Sequence, residues 1–151
     1  MLKICKKNKV KLIINDNPNL ALKVNAHGCH LGQKDMNIIE AKKILKNKII
    51  GVTCHNSINL ARKALINGAS YIALGAFFKT KTKKVTHKAN FKVISKIKKS
   101  INLPVVAIGG INDKNYKNLL LNKADFLAIS SYIWNNKKFK PHQAIKSFYE
   151  N

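Results

Sequence analysis

Pro104-Val105-Val106-Ala107-Ile108-Gly109-Gly110-Ile111-Asn112 sets an unbroken apolar run between a proline and a glycine pair. A strand covered on both faces has no need to alternate apolar with polar side chains, so such a run reads as a buried parallel strand over Val105–Gly109. Pro104 punctuates its start. Gly109-Gly110 let backbone N–H groups approach an anion closely, with a helix expected to begin near Asp113. Runs of the same kind lie at Val10–Ile14, Gly28–Leu31, Ile49–Cys54, Tyr71–Gly75 and Phe126–Ser130.

Helical periodicity fills the gaps. Met36–Leu45 places Ile38, Ile39, Ala41, Ile44 and Leu45 on one face, and Phe91–Ile101 repeats Phe91, Ile94, Ile97 and Ile101 at steps of three and four. Leu60–Ile66 follows Ser57, an N-cap type. Lys114–Leu121, Pro141–Tyr149 and the short Pro18–Val24 complete the set, with Met1–Lys9 reading as the tail of a helix. Strand–helix alternation implies an α/β fold with a parallel sheet and right-handed crossovers. The βα units, about six of them, fit an open doubly wound sheet or part of a (β/α)8 barrel, and in both the chemistry collects at the carboxyl ends of the strands. Neither G-x-x-x-x-G-K-[ST] nor G-x-G-x-x-G occurs.

The chain has 151 residues and a mass of 16.9 kDa, which suits a single domain over 1–151, and 46% of its residues are apolar, enough for a packed core. Lys+Arg 29 against Asp+Glu 6 gives a net charge of +23. That excess attracts polyanions: nucleic acid, acidic lipid or phosphorylated metabolites. Arg62 is the one arginine, and the lysines come with many Asn and Ile residues, the signature of an A/T-rich coding sequence. Much of the charge therefore reads as solvated background, and nucleic-acid binding ranks below a small phosphorylated ligand. Trp134 and the tyrosines do not interleave with basic residues as a stacking platform would. Cys5, Cys29 and Cys54 make no disulfide framework, which favours a reducing, cytoplasmic setting. No stretch approaches the roughly 20 apolar residues of a membrane span.

Chemistry-bearing residues fall just past the strands. Asn15-Asp16 ends the first, and Leu31-Gly32-Gln33-Lys34-Asp35 follows the second. Asp16 and Asp35 could ligate Mg²⁺, which bridges to phosphate oxygens. Alternatively, Asp16 caps the turn before Pro18 and Asp35 N-caps the helix from Met36. Thr80-Lys81-Thr82-Lys83 reads as a phosphate cradle or an exposed basic loop. Gly110 and Ser130-Ser131 suit the phosphate site that barrels build after their last strands. His27, Cys29, His30, Cys54 and His55 hold zinc-ligand types, but Cys29 and His30 point to opposite faces of an extended segment.

In this order, Leu12–Asp16, His30–Asp35, Gly51–His55, Thr80–Lys83, Ala107–Ile111 and Ala128–Ser131 resemble the thiamine-phosphate synthase family of (β/α)8 barrels. The resemblance runs from Lys11 to about Ile133. It implies a transferase of thiamine biosynthesis that joins hydroxymethylpyrimidine diphosphate to hydroxyethylthiazole phosphate and releases pyrophosphate. It assigns Mg²⁺ to Asp16 and Asp35, and the pyrimidine diphosphate to Asn15, Thr53 and Lys83, with Thr53 standing where the family usually has Ser. Lys83 and Thr53 are the catalytic candidates. Thr80, Lys81, Thr82, Gly110, Ser130 and Ser131 would hold the thiazole phosphate. A thiazole tautomerase, with His55 as acid or base, is the related alternative. A non-catalytic phosphate-ligand-binding partner is another. Family members carry two further βα units ahead of the Asn-Asp strand, one bearing a Gln-Leu-Arg-x-Lys type motif. The expectation is therefore an incomplete TIM barrel of about six βα units: a fragment with a mis-set start, a decayed copy, a split protein completed by a second chain, or a homodimer closing its own gap.

Overall fold

The structure is a computed structural model that describes residues 1–80 and 87–149. In chain order the elements are α1 (Leu2–Lys7), β1 (Ile13–Asn15), α2 (Pro18–Lys23), β2 (Gly28–Leu31), α3 (Ile38–Leu45), β3 (Ile49–His55) and α4 (Ile58–Ile66). There follow β4 (Tyr71–Leu74), α5 (Phe91–Ser100), β5 (Val105–Ile108), α6 (Lys117–Leu121), β6 (Phe126–Ala128), α7 (Ser131–Trp134) and α8 (Pro141–Lys146). The strands form one six-stranded sheet in sequence order, and every pairing is parallel. This is the incomplete barrel order of the expected α/β class. Every strand carboxyl end therefore lies along one edge of the sheet.

Alternation along the strands divides the sheet into two faces. Cys29, Leu31, Ile50, Val52, Cys54, Ile72, Leu74, Val105 and Ala107 are buried on the helix-covered face. Around β1 and β2 they pack with Ala21, Ala41 and Leu45, and further along with Ala61, Ala64, Ile94, Ile97 and Leu119. Small alanines on α2, α3 and α4 let these helices sit close to the sheet. The other face carries Asn15, His30, Gly51, Thr53, Tyr71, Val106 and Phe126, and it is less covered; Phe126 is 60% exposed.

Asparagine and serine side chains start the helices. Asn17 accepts from Leu20 N at 2.9 Å, Asn37 from Glu40 N at 3.0 Å, Ser57 from Leu60 N at 3.2 Å and Asn90 from Lys92 N at 3.0 Å. Each satisfies one of the unpaired first-turn N–H groups. Asp35 therefore does not cap α3, which begins later than the sequence implied; Asn37 does. Asp16 likewise leaves the cap of α2 to Asn17. The expected helix near Asp113 begins only at Lys117, because Asn112, Asn115 and Gly110 form a separately hydrogen-bonded turn first.

Candidate active site

The site is built where β1 to β6 end. Asn15 and His30 occupy one row of the sheet, which continues through Gly51 to Tyr71. Asp16 follows in a left-handed conformation, φ 65°, which aspartate tolerates better than most residues, and its N–H donates to the His30 carbonyl at 2.8 Å. Asp35 is drawn back toward β2, where its Oδ2 accepts from Gly32 N at 2.7 Å. Burial raises the Cys29 thiol pKa most, and the charges of Asp16 and Asp35 both raise it further. Asp16 and Asp35 thus follow neighbouring paired strands at the same end of the sheet.

Thr53 lies on the same face as His30. Its hydroxyl meets His30 Nε2 at 2.8 Å, and His30 Nδ1 meets Tyr71 Oη at 2.9 Å. Gln33 Nε2 donates to the Thr53 carbonyl, which ties the loop after β2 to β3. The β3–β4 register shifts between Thr53 and His55. Such a bulge re-aims side chains at the end of a strand. His55 then turns beside His87, with ring centroids 4.5 Å apart, and burial followed by the His87 charge lowers its pKa.

Beyond β4 the chain stays alongside β5: Phe77 N donates to the Ile108 carbonyl at 3.1 Å and Phe78 N to the Gly109 carbonyl at 3.0 Å. Gly110 has φ 66°, and a Cβ there would collide with the backbone of Phe78 and Lys79. Glycine is thus required both by its conformation and by the close approach of the Phe78–Lys79 backbone leading to Thr80. Asn115 Nδ2 holds the Gly110 carbonyl at 3.0 Å. Ile108 pairs with Ala128, so Gly110 and Ser130 each stand two residues past paired positions on neighbouring strands. Ser131 opens α7.

The structure thus places Asn15, Asp16, Asp35, Thr53, Thr80, Gly110, Ser130 and Ser131 along the carboxyl edge. Lys81, Thr82 and Lys83 lie outside the described residues. The zinc-ligand types are dispersed: Cys29 and Cys54 face the helices, His30 faces Thr53 and Tyr71, and His27 Nδ1 accepts from Leu12 N at 2.8 Å. Among the described residues no group of three or more His, Cys, Asp or Glu side chains could hold a metal. The sequence assigns no site role to Tyr71, or to Gln33 beyond its place in the His30–Asp35 stretch. Their partners depend on strand register, which no local pattern encodes.

Fold and edge together define a barrel-type α/β chain whose candidate site residues gather at its strand ends. The family model described as Thiamine monophosphate synthase matches residues 1–133. The chain is 68% identical over 144 residues to the thiamine-phosphate synthase of Pelagibacter ubique (strain HTCC1062), covering 95% of this chain and 70% of that one. It is 42% identical over 139 residues to the thiamine-phosphate synthase of Clostridium acetobutylicum, covering 91% and 65%. The solved thiamine phosphate pyrophosphorylase of Pyrococcus furiosus superposes with a TM-score of 0.88 at 30% identity, covering 98% and 70%. The chain belongs to the thiamine monophosphate synthase family, whose named relatives are enzymes. It spans 65% to 70% of the length of these three relatives.

Proposed function

We propose that the chain carries the thiamine-phosphate synthase reaction: the methylene carbon of hydroxymethylpyrimidine diphosphate loses pyrophosphate, which leaves with the bonding electron pair, and the thiazole nitrogen of hydroxyethylthiazole phosphate bonds to that carbon. The observation that carries this reading is the gathering of Asn15, Asp16, Asp35, Thr53 and Gly110 on one strand edge, in a family named for that product. Asn15 and the Thr53 hydroxyl would bind the pyrimidine diphosphate, with Lys83 beside it. Thr80, Lys81, Thr82, Gly110, Ser130 and Ser131 would hold the thiazole phosphate, Gly110 by letting backbone N–H groups reach it.

Asp16 and Asp35 fit Mg²⁺. The ion favours one or two carboxylates plus substrate phosphate oxygens over a full protein cage, and Asp16 and Asp35 follow the neighbouring strands β1 and β2 at the same end of the sheet. Bound there, Mg²⁺ would neutralise charge on the departing pyrophosphate. The protein is taken as one folding unit over 1–151, and its free cysteines suit a reducing, cytoplasmic setting. No helix among the described residues is long and apolar enough to cross a membrane.

The face that bears Phe126, 60% exposed, and the half-buried Val106 supports a further element of the proposal: a second chain, or a second copy, supplies βα units that cover it. The test is product formation from both substrates with Mg²⁺, using the chain alone and the chain plus the N-terminal βα segment of the Pelagibacter relative. Turnover in either supports the reading, and no turnover in both overturns it. Calorimetric binding of thiazole phosphate without turnover would instead identify a phosphate-ligand-binding partner, the reading that the open face also accommodates.

A further inference from the structure

We propose that Tyr71, His30 and Thr53 form a directed hydrogen-bond chain that presents the Thr53 hydroxyl as a donor to the diphosphate, with Tyr71 and His30 as positioning residues. The inference rests on the reading of Thr53 as a substrate-binding residue.

The chain is built by the sheet. His30 lies in one row with Gly51 and Tyr71. The Tyr71 ring crosses Gly51, where a Cβ would collide with the ring and its hydroxyl. Without a side chain at Gly51, the phenol reaches over one strand to His30 Nδ1 at 2.9 Å, and the two rings lie 5.5 Å apart in a stacked arrangement. His30 Nε2 then meets Thr53 Oγ1 at 2.8 Å. The His30 carbonyl accepts from Asp16 N at 2.8 Å, so the backbone beneath the imidazole is tied to the end of β1.

A neutral imidazole has one N–H and one lone pair, so the chain has two polarities. In one, Thr53 O–H donates to Nε2 and the hydroxyl offers only lone pairs to a ligand. In the other, Tyr71 O–H donates to Nδ1 and Nε2–H donates to Oγ1, leaving the Thr53 proton to point outward. A diphosphate oxygen accepts hydrogen bonds and does not donate them, so only the second polarity binds it. Burial pushes the Tyr71 phenol up to about 12, which keeps its proton in place at neutral pH. In the proposed chain the phenol O–H, 2.9 Å from Nδ1, donates to it and so sets the imidazole tautomer, and the imidazole aims the threonine. Threonine or serine serves equally at position 53 in such a chain, because each supplies one rotatable O–H.

The test is calorimetry of inorganic pyrophosphate with Mg²⁺ on the full chain, comparing Tyr71→Phe, Thr53→Val, their combination and Thr53→Ser. Loss of one neutral hydrogen bond in the chain predicts binding about 2- to 10-fold weaker for Tyr71→Phe. Adding Tyr71→Phe to Thr53→Val should cost nothing more, and Thr53→Ser should keep both the affinity and its sensitivity to Tyr71→Phe. Equal weakening by Tyr71→Phe with and without the hydroxyl overturns the inference, as does no weakening at all. Unchanged binding in Thr53→Val overturns instead the reading of Thr53 beneath it. Failure of the unsubstituted chain to bind overturns both. Independently of any variant, nitrogen-15 NMR of His30 with Mg²⁺ and pyrophosphate bound should give the Nε2–H tautomer, and the Nδ1–H tautomer would reject the chain.

Discussion

Asp16 and Asp35 each precede an asparagine that does the work a capping aspartate would do. Asn17 and Asn37 accept from the first-turn N–H groups of α2 and α3, so neither aspartate is needed to start a helix. The two residue types should therefore separate in experiment. Asn17→Ala and Asn37→Ala should each lower stability by about 1 kcal/mol in denaturant unfolding while leaving Mg²⁺-dependent pyrophosphate binding unchanged. Asp16→Asn and Asp35→Asn should weaken that binding about 10-fold or more, with stability changed by about 1 kcal/mol or less. Parallel losses of stability and binding in the aspartate variants would return both residues to a structural role. The thiols offer a second contrast at this scale. Cys29 and Cys54 are fully buried, and burial pushes Cys54 up to about 12. Only the thiolate attacks an electrophile. A maleimide at neutral pH should thus label Cys5, which is partly exposed, and reach the other two only on unfolding, with mass spectrometry of the digested protein as the check.

The strands were legible wherever side-chain pattern alone decides an element. Gly28–Leu31 was read at its observed limits, since covered faces allow a continuous apolar run. The apolar run Val10–Ile14 starts ahead of its strand: β1 begins at Ile13, and the apolar Val10 is 53% exposed. The pattern over Lys114–Leu121 overruns α6, because Lys114 N donates to Asn112 Oδ1 and Asn115 Nδ2 to the Gly110 carbonyl in a turn that precedes the helix. The carboxyl-edge residues were readable because parallel topology sends all strand ends one way. The pairings of Tyr71 with His30, and of Gln33 with Thr53, were not, since each needs register between strands. Asp125 shows the same limit. Just before β6, its Oδ2 accepts from Val105 N at 2.7 Å and from Lys98 Nζ at 2.9 Å. Burial pulls its carboxyl pKa up, but the Val105 N–H and Lys98 outweigh this and hold it below the ordinary carboxylate value. A lowered folded pKa means that the stabilisation is present above the unfolded value and fades as pH falls through the folded one. Asp125→Asn keeps an acceptor for Val105 and should flatten stability against pH below about 4, with little loss at neutral pH because the ion pair is partly exposed. Asp125→Ala strips the acceptor from a buried N–H and should cost about 1–3 kcal/mol at pH 7 in urea unfolding.

For the whole molecule, the question is how a chain of net charge +23 distinguishes one anionic ligand from the general attraction it exerts on all of them. Exposed lysines repel one another through solvent, and salt screens that repulsion over a Debye length of about 8 to 10 Å. Any salt should therefore raise the melting temperature somewhat as ionic strength goes from about 0.02 to about 0.3 M. The strand-edge site makes a different demand. It offers Asp16 and Asp35, two of only six acidic residues, where diffuse lysine charge alone would leave the anion to be held by cations. Under the proposed role of Asp16 and Asp35, pyrophosphate without Mg²⁺ would meet those carboxylates as like charges, and Mg²⁺ held by them would supply the charge that offsets this repulsion. At constant ionic strength, Mg²⁺ and pyrophosphate together should raise the melting temperature beyond sodium chloride, pyrophosphate alone and Mg²⁺ alone. Saturation to about 100 times the dissociation constant is worth about 2.7 kcal/mol, or some 5 to 10 °C in a domain of about 150 residues. Differential scanning fluorimetry across the four conditions reads this directly. A shift of the same size with pyrophosphate alone would assign the binding to the lysine surface. A shift that needs both components and disappears in Asp16→Asn would assign it to the edge where the six strands end.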